Sequence, residues 1–89
     1  MRAVISVVGK NGVGILAGVS GVCANQGVDI LEVTQTILQD MFTMFMLVEV
    51  PEETSNFREL QEKLEVLSKE RSLVIHAMHE DIFNAMHEI

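Results

Sequence analysis

The chain has no tryptophan, no tyrosine, one proline and one cysteine among its 89 residues. Without Trp or Tyr it lacks the aromatic platforms on which single-stranded nucleic acid stacks. A lone cysteine, Cys23, forms no intrachain disulfide. That rules out a disulfide-stapled scaffold and fits a reducing, cytoplasmic setting. Basic residues are scarce too: six Lys and Arg stand against thirteen Asp and Glu, for a formal charge of −7. Such a surface repels a phosphate backbone, so nucleic-acid binding is not expected. No apolar run approaches the ~20 residues that cross a bilayer, so no membrane span is expected. The opening Met1-Arg2-Ala3-Val4-Ile5-Ser6 lacks the charged lead, apolar stretch and small-residue cleavage site of a secretory leader.

What is present reads as one small globular domain. Nearly half the residues are hydrophobic (48%), which separates the chain from disordered sequences. A domain of this size buries only a modest share of its surface and gains from oligomerisation when disulfides and metals are missing. Ala3 to Val8 is short and β-branched, a strand buried on both faces or nearly so. Gly9-Lys10-Asn11-Gly12-Val13-Gly14 is a polar, glycine-rich turn. From Ile15 the period becomes helical through Ile15, Val19, Val22 and Cys23. Gly18 and Gly21 fall within that helix, and close packing onto a sheet accounts for them. Asn25-Gln26-Gly27 ends it, with Gly27 suited to the left-handed position beyond the last turn.

Val28 to Gln39 is a second strand whose phase breaks near Ile30, as a bulge or a twist there would explain. Gln39-Asp40 is a hairpin turn. In the third strand, Phe42 to Val50, one face is wholly apolar (Phe42, Met44, Met46, Val48, Val50). Thr43, Phe45, Leu47 and Glu49 form the other. After Pro51, Ser55 or Asn56 can cap a second helix with the stripe Phe57, Leu60, Leu64 and Leu67. Lys69 and Arg71 at its end complement the helix dipole. Leu73 to Met78 is a fourth strand. Glu80 or Asp81 opens a short terminal helix with Ile82, Phe83, Met86 and Ile89 on one side.

The order βαββαβ with a short C-terminal helix predicts an α+β, ferredoxin-like sandwich: one domain over 1–89, an antiparallel four-stranded sheet and two helices on one face. The other face should then be polar in a monomer, yet it carries Phe45 and Leu47. A homodimer covering that face or an edge is the expectation. The alternative is that the terminal helix folds back over it.

Two segments resemble the ACT domain signature: Gly9-Lys10-Asn11-Gly12-Val13-Gly14-Ile15-Leu16-Ala17 and Ala24-Asn25-Gln26-Gly27-Val28-Asp29-Ile30. Gln35-Thr36, Phe42-Thr43-Met44 and Ile82-Phe83-Asn84-Ala85-Met86 extend the likeness to the free-standing ACT proteins grouped as UPF0237. That resemblance implies a non-catalytic regulatory module that binds an amino acid or similar metabolite at a dimer interface. In the serine-sensing ACT domain of phosphoglycerate dehydrogenase, the positions matching Asn11 and Asp29 are ligand-contacting asparagines. That domain has a histidine where this chain has Gly9, and Asp29 replaces an amide with a carboxylate, so serine specificity does not carry over.

Physical chemistry places a site at the same turn. Gly12 and Gly14 let backbone approach a ligand closely. The helix that starts there offers unpaired N–H groups to an anion such as a carboxylate. Asn11 both donates and accepts hydrogen bonds, and Asp29 can accept from an ammonium. The expected ligand-binding residues are therefore Asn11, Gly12, Val13, Gly14, Ile15, Asp29 and Ile30. The other reading of the turn is plain punctuation plus a helix cap. Gln35 and Thr36 read as a cross-strand polar pair.

No cofactor is expected. His76, His79 and His87 do not form a metal-ligand pattern, because strand alternation points His76 and His79 apart. Cys23 lies on the apolar side of its helix and reads as a small hydrophobe. With no nucleophile–base pair, metal cluster or specific cofactor loop, the chain is not expected to be an enzyme. A second reading is an interaction module that docks on a metabolic enzyme or regulator without a small ligand.

Overall fold

The computed structural model describes residues 1–10, 12–51 and 56–86. The elements run β1 (Arg2–Gly9), α1 (Ile15–Asn25), β2 (Asp29–Leu38), β3 (Met41–Glu49), α2 (Asn56–Arg71), β4 (Val74–His79) and α3 (Glu80–Met86). The four strands form one antiparallel sheet in the order β2-β3-β1-β4. This is the ferredoxin-like sandwich expected from the element order. The cap expected at Ser55 or Asn56 lies outside the described residues and side chains.

The two faces of the sheet follow from strand alternation. Ala3, Ile5 and Val7 of β1, with Phe42, Met44, Met46 and Val48 of β3, point toward the helices and are buried. α1 answers with Ile15, Val19 and Cys23, one residue per turn, and α2 with Leu60 and Leu64. These residues form a single core. The phase break in β2 is a bulge: the pairing steps from Ile30↔Val48 to Glu32↔Leu47, so Leu31 has no opposite.

The connections show why the chain turns where it does. α1 ends in a Schellman motif: the Val28 N–H donates to Cys23 O (2.9 Å) and the Gly27 N–H to Ala24 O (3.2 Å). That closure needs a left-handed residue, and Gly27 has φ 67°. Leu38 pairs with Met41, leaving Gln39-Asp40 as a two-residue hairpin. Gln39 takes φ 57°, the sign that a primed turn demands of its first central residue.

The glycines of α1 serve a different contact from the one expected. Gly18 faces α2, not the sheet: a Cβ there would lie 3.5 Å from Leu67 and 3.9 Å from Arg71. Beside Gly21 nothing lies within 4 Å. A side chain at Gly18 would therefore be in ordinary contact with α2, whose packing beside α1 follows from two neighbouring crossovers on one face of the sheet.

The terminal helix folds back. Arg2 reaches Glu80 (3.9 Å), α3 lies against β1 and β4, and Phe83 packs on Phe45 with ring centroids 6.0 Å apart. Val4 is thereby buried on the face opposite the two long helices. The cover stops partway, and Phe45 remains 40% and Val74 55% exposed.

The two sheet edges also differ. Along β4, Gln61 of α2 donates to the Ala77 carbonyl (3.0 Å) and ties the helix down beside the edge. β2 overhangs the helices: Ile30, Leu31 and Val33 are partly exposed and Ile37 is 71% exposed. Among the described residues, none from another element hydrogen-bonds to β2 outside its ladder with β3.

Replacing Gly27 by Ala introduces no clash, since nothing lies within 4 Å of the new Cβ. It should still cost about 1 kcal/mol, because the positive φ is closed to a Cβ-bearing residue. Gln39→Gly should do the opposite and gain roughly 0.5–1 kcal/mol, raising Tm by about 3–8 °C. Thermal unfolding checks both; a lower Tm for Gln39→Gly would refute the strained-turn account.

Candidate functional site

The Gly12–Ile15 segment is a tight turn that delivers the chain into α1. The Ile15 N–H donates to Gly12 O (3.3 Å) and the Gly18 N–H to Gly14 O (2.9 Å). Gly14 has φ 74° and ψ 0°, the values of the third residue of a type II turn, which excludes most side chains. No side chain bonds to the helix at this N-cap position. The first amide donors of α1 therefore have no intrahelical acceptor and face outward with the positive end of the helix dipole. Gly12 is required for a separate reason. A Cβ there would come within 2.7 Å of the Phe42 ring, so the turn lies flat on the end of β3.

Arg71 completes this corner, a contribution that one-dimensional reading missed. From the end of α2 its guanidinium crosses to the turn, where Nη2 donates to the Val13 carbonyl at 2.7 Å. It passes over Gly14 and Gly18, whose missing side chains leave the path open. The corner thus brings together two positive features, a cationic fork and a helix N-terminus, within a chain of net charge −7. Val13 projects outward, 77% exposed, while Ile15 is buried and anchors the turn in the core. Lys10, Gln39, Asp40 and Met41 line a depression of about 150 Å3 immediately before the turn.

The expected site residues do not all meet within one chain. Asn11 lies outside the described residues. Gly12, Val13, Gly14 and Ile15 stand at the end of the sheet where Gly9 pairs with Phe42. Asp29 and Ile30 stand at the other end, where Asp29 pairs with Glu49 and Glu49 with Arg2. The two groups are separated by the length of β1, about 23 Å at the rise of an extended strand. Asp29 and Ile30 open β2, and the turn lies against Phe42 of β3, which pairs with Ile37 near the other end of β2.

The remaining candidates lie apart from the corner. His76 is exposed on the open sheet face, in register with Ser6. His79 accepts from the Asp81 N–H at 3.1 Å. Among the described residues no three His, Cys, Asp or Glu side chains converge on one point; His87 is not among them. Cys23 is fully buried, and burial pushes its thiol pKa up from the ordinary value, the reverse of what a nucleophilic cysteine needs. A groove of about 420 Å3 between α2 and β4 is lined by apolar Leu64, Leu73 and Ile75 and by polar Glu65, Ser68, His76 and Gln61, of which Gln61 donates to the Ala77 carbonyl. Among the described residues no helix is long and apolar enough to cross a membrane.

A four-stranded antiparallel sheet with two crossover helices on one face and a glycine corner at the first strand–helix junction define a ferredoxin-like βαββαβ sandwich. The ACT domain profile matches residues 2–78, and the chain belongs to the ACT domain family. A UPF0237 protein of Clostridium perfringens is 47% identical over all 89 residues of both chains. One from Methanocaldococcus jannaschii is 40% identical over 88 residues, 99% of this chain and 98% of its own. Among solved structures, an ACT domain protein from Streptococcus pneumoniae superposes with a TM-score of 0.81 at 37% identity, covering 93% of each chain. The regulatory subunit of aspartate kinase from Thermus thermophilus shares the fold, with a TM-score of 0.66 at 22% identity over 85% of this chain and 49% of that one. ACT domains are regulatory modules for small ligands, and the family places this chain among them.

Gly12→Ala should destabilise by about 1–3 kcal/mol, because a methyl group is forced against the Phe42 ring. Phe42→Leu in the same chain should recover part of that loss. A double-mutant cycle in urea measures the coupling, and strict additivity would show that the ring is not what excludes a side chain at Gly12.

Proposed function

We propose that this protein is a non-catalytic cytoplasmic sensor. It binds an amino acid or similar small carboxylate at the Gly12–Ile15 corner, in a site shared between two copies of the chain. One observation carries the reading: the two halves of the expected site stand at opposite ends of the same uncovered strand. A second copy added antiparallel along β2 has its own Asp29 end beside this chain's corner, and the reverse. Only such a pairing brings the turn and Asp29 together. The β2 edge suits it, being long, apolar at Ile37, Leu31 and Val33, and without cover.

The chemistry divides accordingly. The positive N-terminal end of α1 and the guanidinium of Arg71 favour the ligand carboxylate. Asp29 of the second copy receives an ammonium, which turns its negative charge from an obstacle into a selector for a zwitterion. Val13 and Ile30 supply apolar contact. No step in this account requires a bond to be made or broken. The interaction-module reading has no observation of its own at this corner, and it is what a ligand screen without response would leave standing.

An amino-acid panel read by thermal shift tests the proposal. A ligand at a hundred times its Kd stabilises by ~2.7 kcal/mol, so the responding compound should raise Tm by about 10 °C. Arg71→Gln should weaken binding by roughly ten- to a hundredfold, the worth of a charge-assisted hydrogen bond. The shared site makes a sharper claim. Asn11→Ala and Asp29→Ala should each abolish binding alone. Mixed in equal amounts, the two chains should recover about a quarter of the sites, since half of the pairs are mixed and each has one intact corner. If no compound in the panel shifts Tm, the sensor reading fails; if binding exists but mixing restores none of it, the site is not shared.

A further inference from the structure

Two rows of side chains cross the open face of the sheet beside α3. In the first, Val4 of β1 stands opposite Leu47 of β3, and Leu47 opposite Glu32 of β2. In the second, Phe45 of β3 stands opposite Thr34 of β2. Strand alternation turns all five away from the two long helices. Phe83 comes down from α3 onto Phe45, with ring centroids 6.0 Å apart and planes inclined at 52°. Rings tilted in this way leave a wedge between them. A pocket of about 180 Å3 opens there, and ~150 Å3 is room enough for a benzene ring.

The pocket has two unlike sides. Val4, Leu47, Phe45 and Phe83 make one side apolar, and Glu32 and Thr34 on β2 make the other. Both polar residues are exposed, so the carboxylate stands at a wet rim beside a dry wall. Among the described residues no cation pairs with Glu32; Arg2, the basic residue on the same face, is directed to Glu49 and Glu80 at 3.9 Å each. The Thr34 hydroxyl can accept a hydrogen bond. The faces of aromatic rings attract a cation as well, and a net charge of −7 draws cations to the whole surface.

The geometry points to a second binding site, one for a primary amine with an apolar body about the size of a benzene ring and no carboxylate. The body lies against Phe45 and Phe83 and removes their apolar surface from water. The ammonium stays at the rim, donates to the Glu32 carboxylate and the Thr34 hydroxyl, and keeps part of its hydration. It thereby avoids the cost of full ion burial. A free amino acid is excluded by charge, because its own carboxylate would stand close to Glu32. The class differs from the zwitterion proposed for the Gly12–Ile15 corner, and the site does not rest on that reading.

Benzylamine is the probe, with benzyl alcohol as its uncharged counterpart and benzoate as the anion. Two-dimensional amide NMR follows each titration. Benzylamine should move the signals of Glu32, Thr34 and Leu47 and saturate in the millimolar range open to so small a ligand. Benzoate should leave them in place. Benzyl alcohol should bind about tenfold more weakly than benzylamine, the worth of a charge-assisted hydrogen bond. Glu32→Gln should erase that preference and leave benzyl alcohol binding unchanged, whereas Phe83→Ala should weaken both compounds alike. The inference is overturned if benzylamine moves none of these signals, if benzyl alcohol binds as tightly to the native chain, or if the preference survives Glu32→Gln.

Discussion

Two helices that each link a strand to its next-but-one neighbour must cross on the same face of the sheet, because both crossovers are right-handed. That constraint organises the rest of this molecule. It places the apolar sides of β1 and β3 under α1 and α2 and makes one core from both helices. It also leaves two surfaces that the helices cannot reach: the opposite face of the sheet and the β2 edge. Among the described residues, α3 covers the Val4 end of that face and leaves Phe45 and Val74 partly exposed.

The same constraint forces α1 and α2 into contact, and the corner chemistry follows from that contact. Gly18 admits Leu67 and Arg71, and Gly14 lets the guanidinium pass to the Val13 carbonyl. An arginine that reads as a partner for its own helix dipole thus becomes a partner for the turn that starts the other helix. The glycines of this segment divide by cause. Gly14 is needed for its backbone angle and Gly12 for the ring of Phe42, whereas a Cβ at Gly18 would meet Leu67 at ordinary contact distance.

Much of the fold was legible in one dimension because the local signals agree. Alternation in Phe42 to Val50, the helical stripe Phe57, Leu60, Leu64 and Leu67, and the phase break at Ile30 each translate directly into burial or register. Strand limits moved by a residue or so, as expected where pairing and not propensity decides the end. Neither glycine of α1 meets the sheet as expected: Gly18 faces α2 and Gly21 faces open space, a distinction that a sequence does not carry. The site was legible as residue types and not as a place. Gly12 to Ile15 and Asp29 to Ile30 are separated along the sheet by the whole of β1, a distance that sequence spacing does not reveal.

The sequence by itself determined the element order, the apolar face of each element, the positions of left-handed turns and the ACT likeness. All of these are local, set by the period of side chains along a strand or helix and by the angles that glycine permits. Only the tertiary structure decided three further matters. One is that Arg71 reaches the first turn. Another is that α3 folds back over the Val4 end of the open face. The third is that the expected ligand residues flank opposite ends of one open strand. Each depends on which surfaces meet when elements far apart in the chain pack together, and that is settled by the competition among them for a small core.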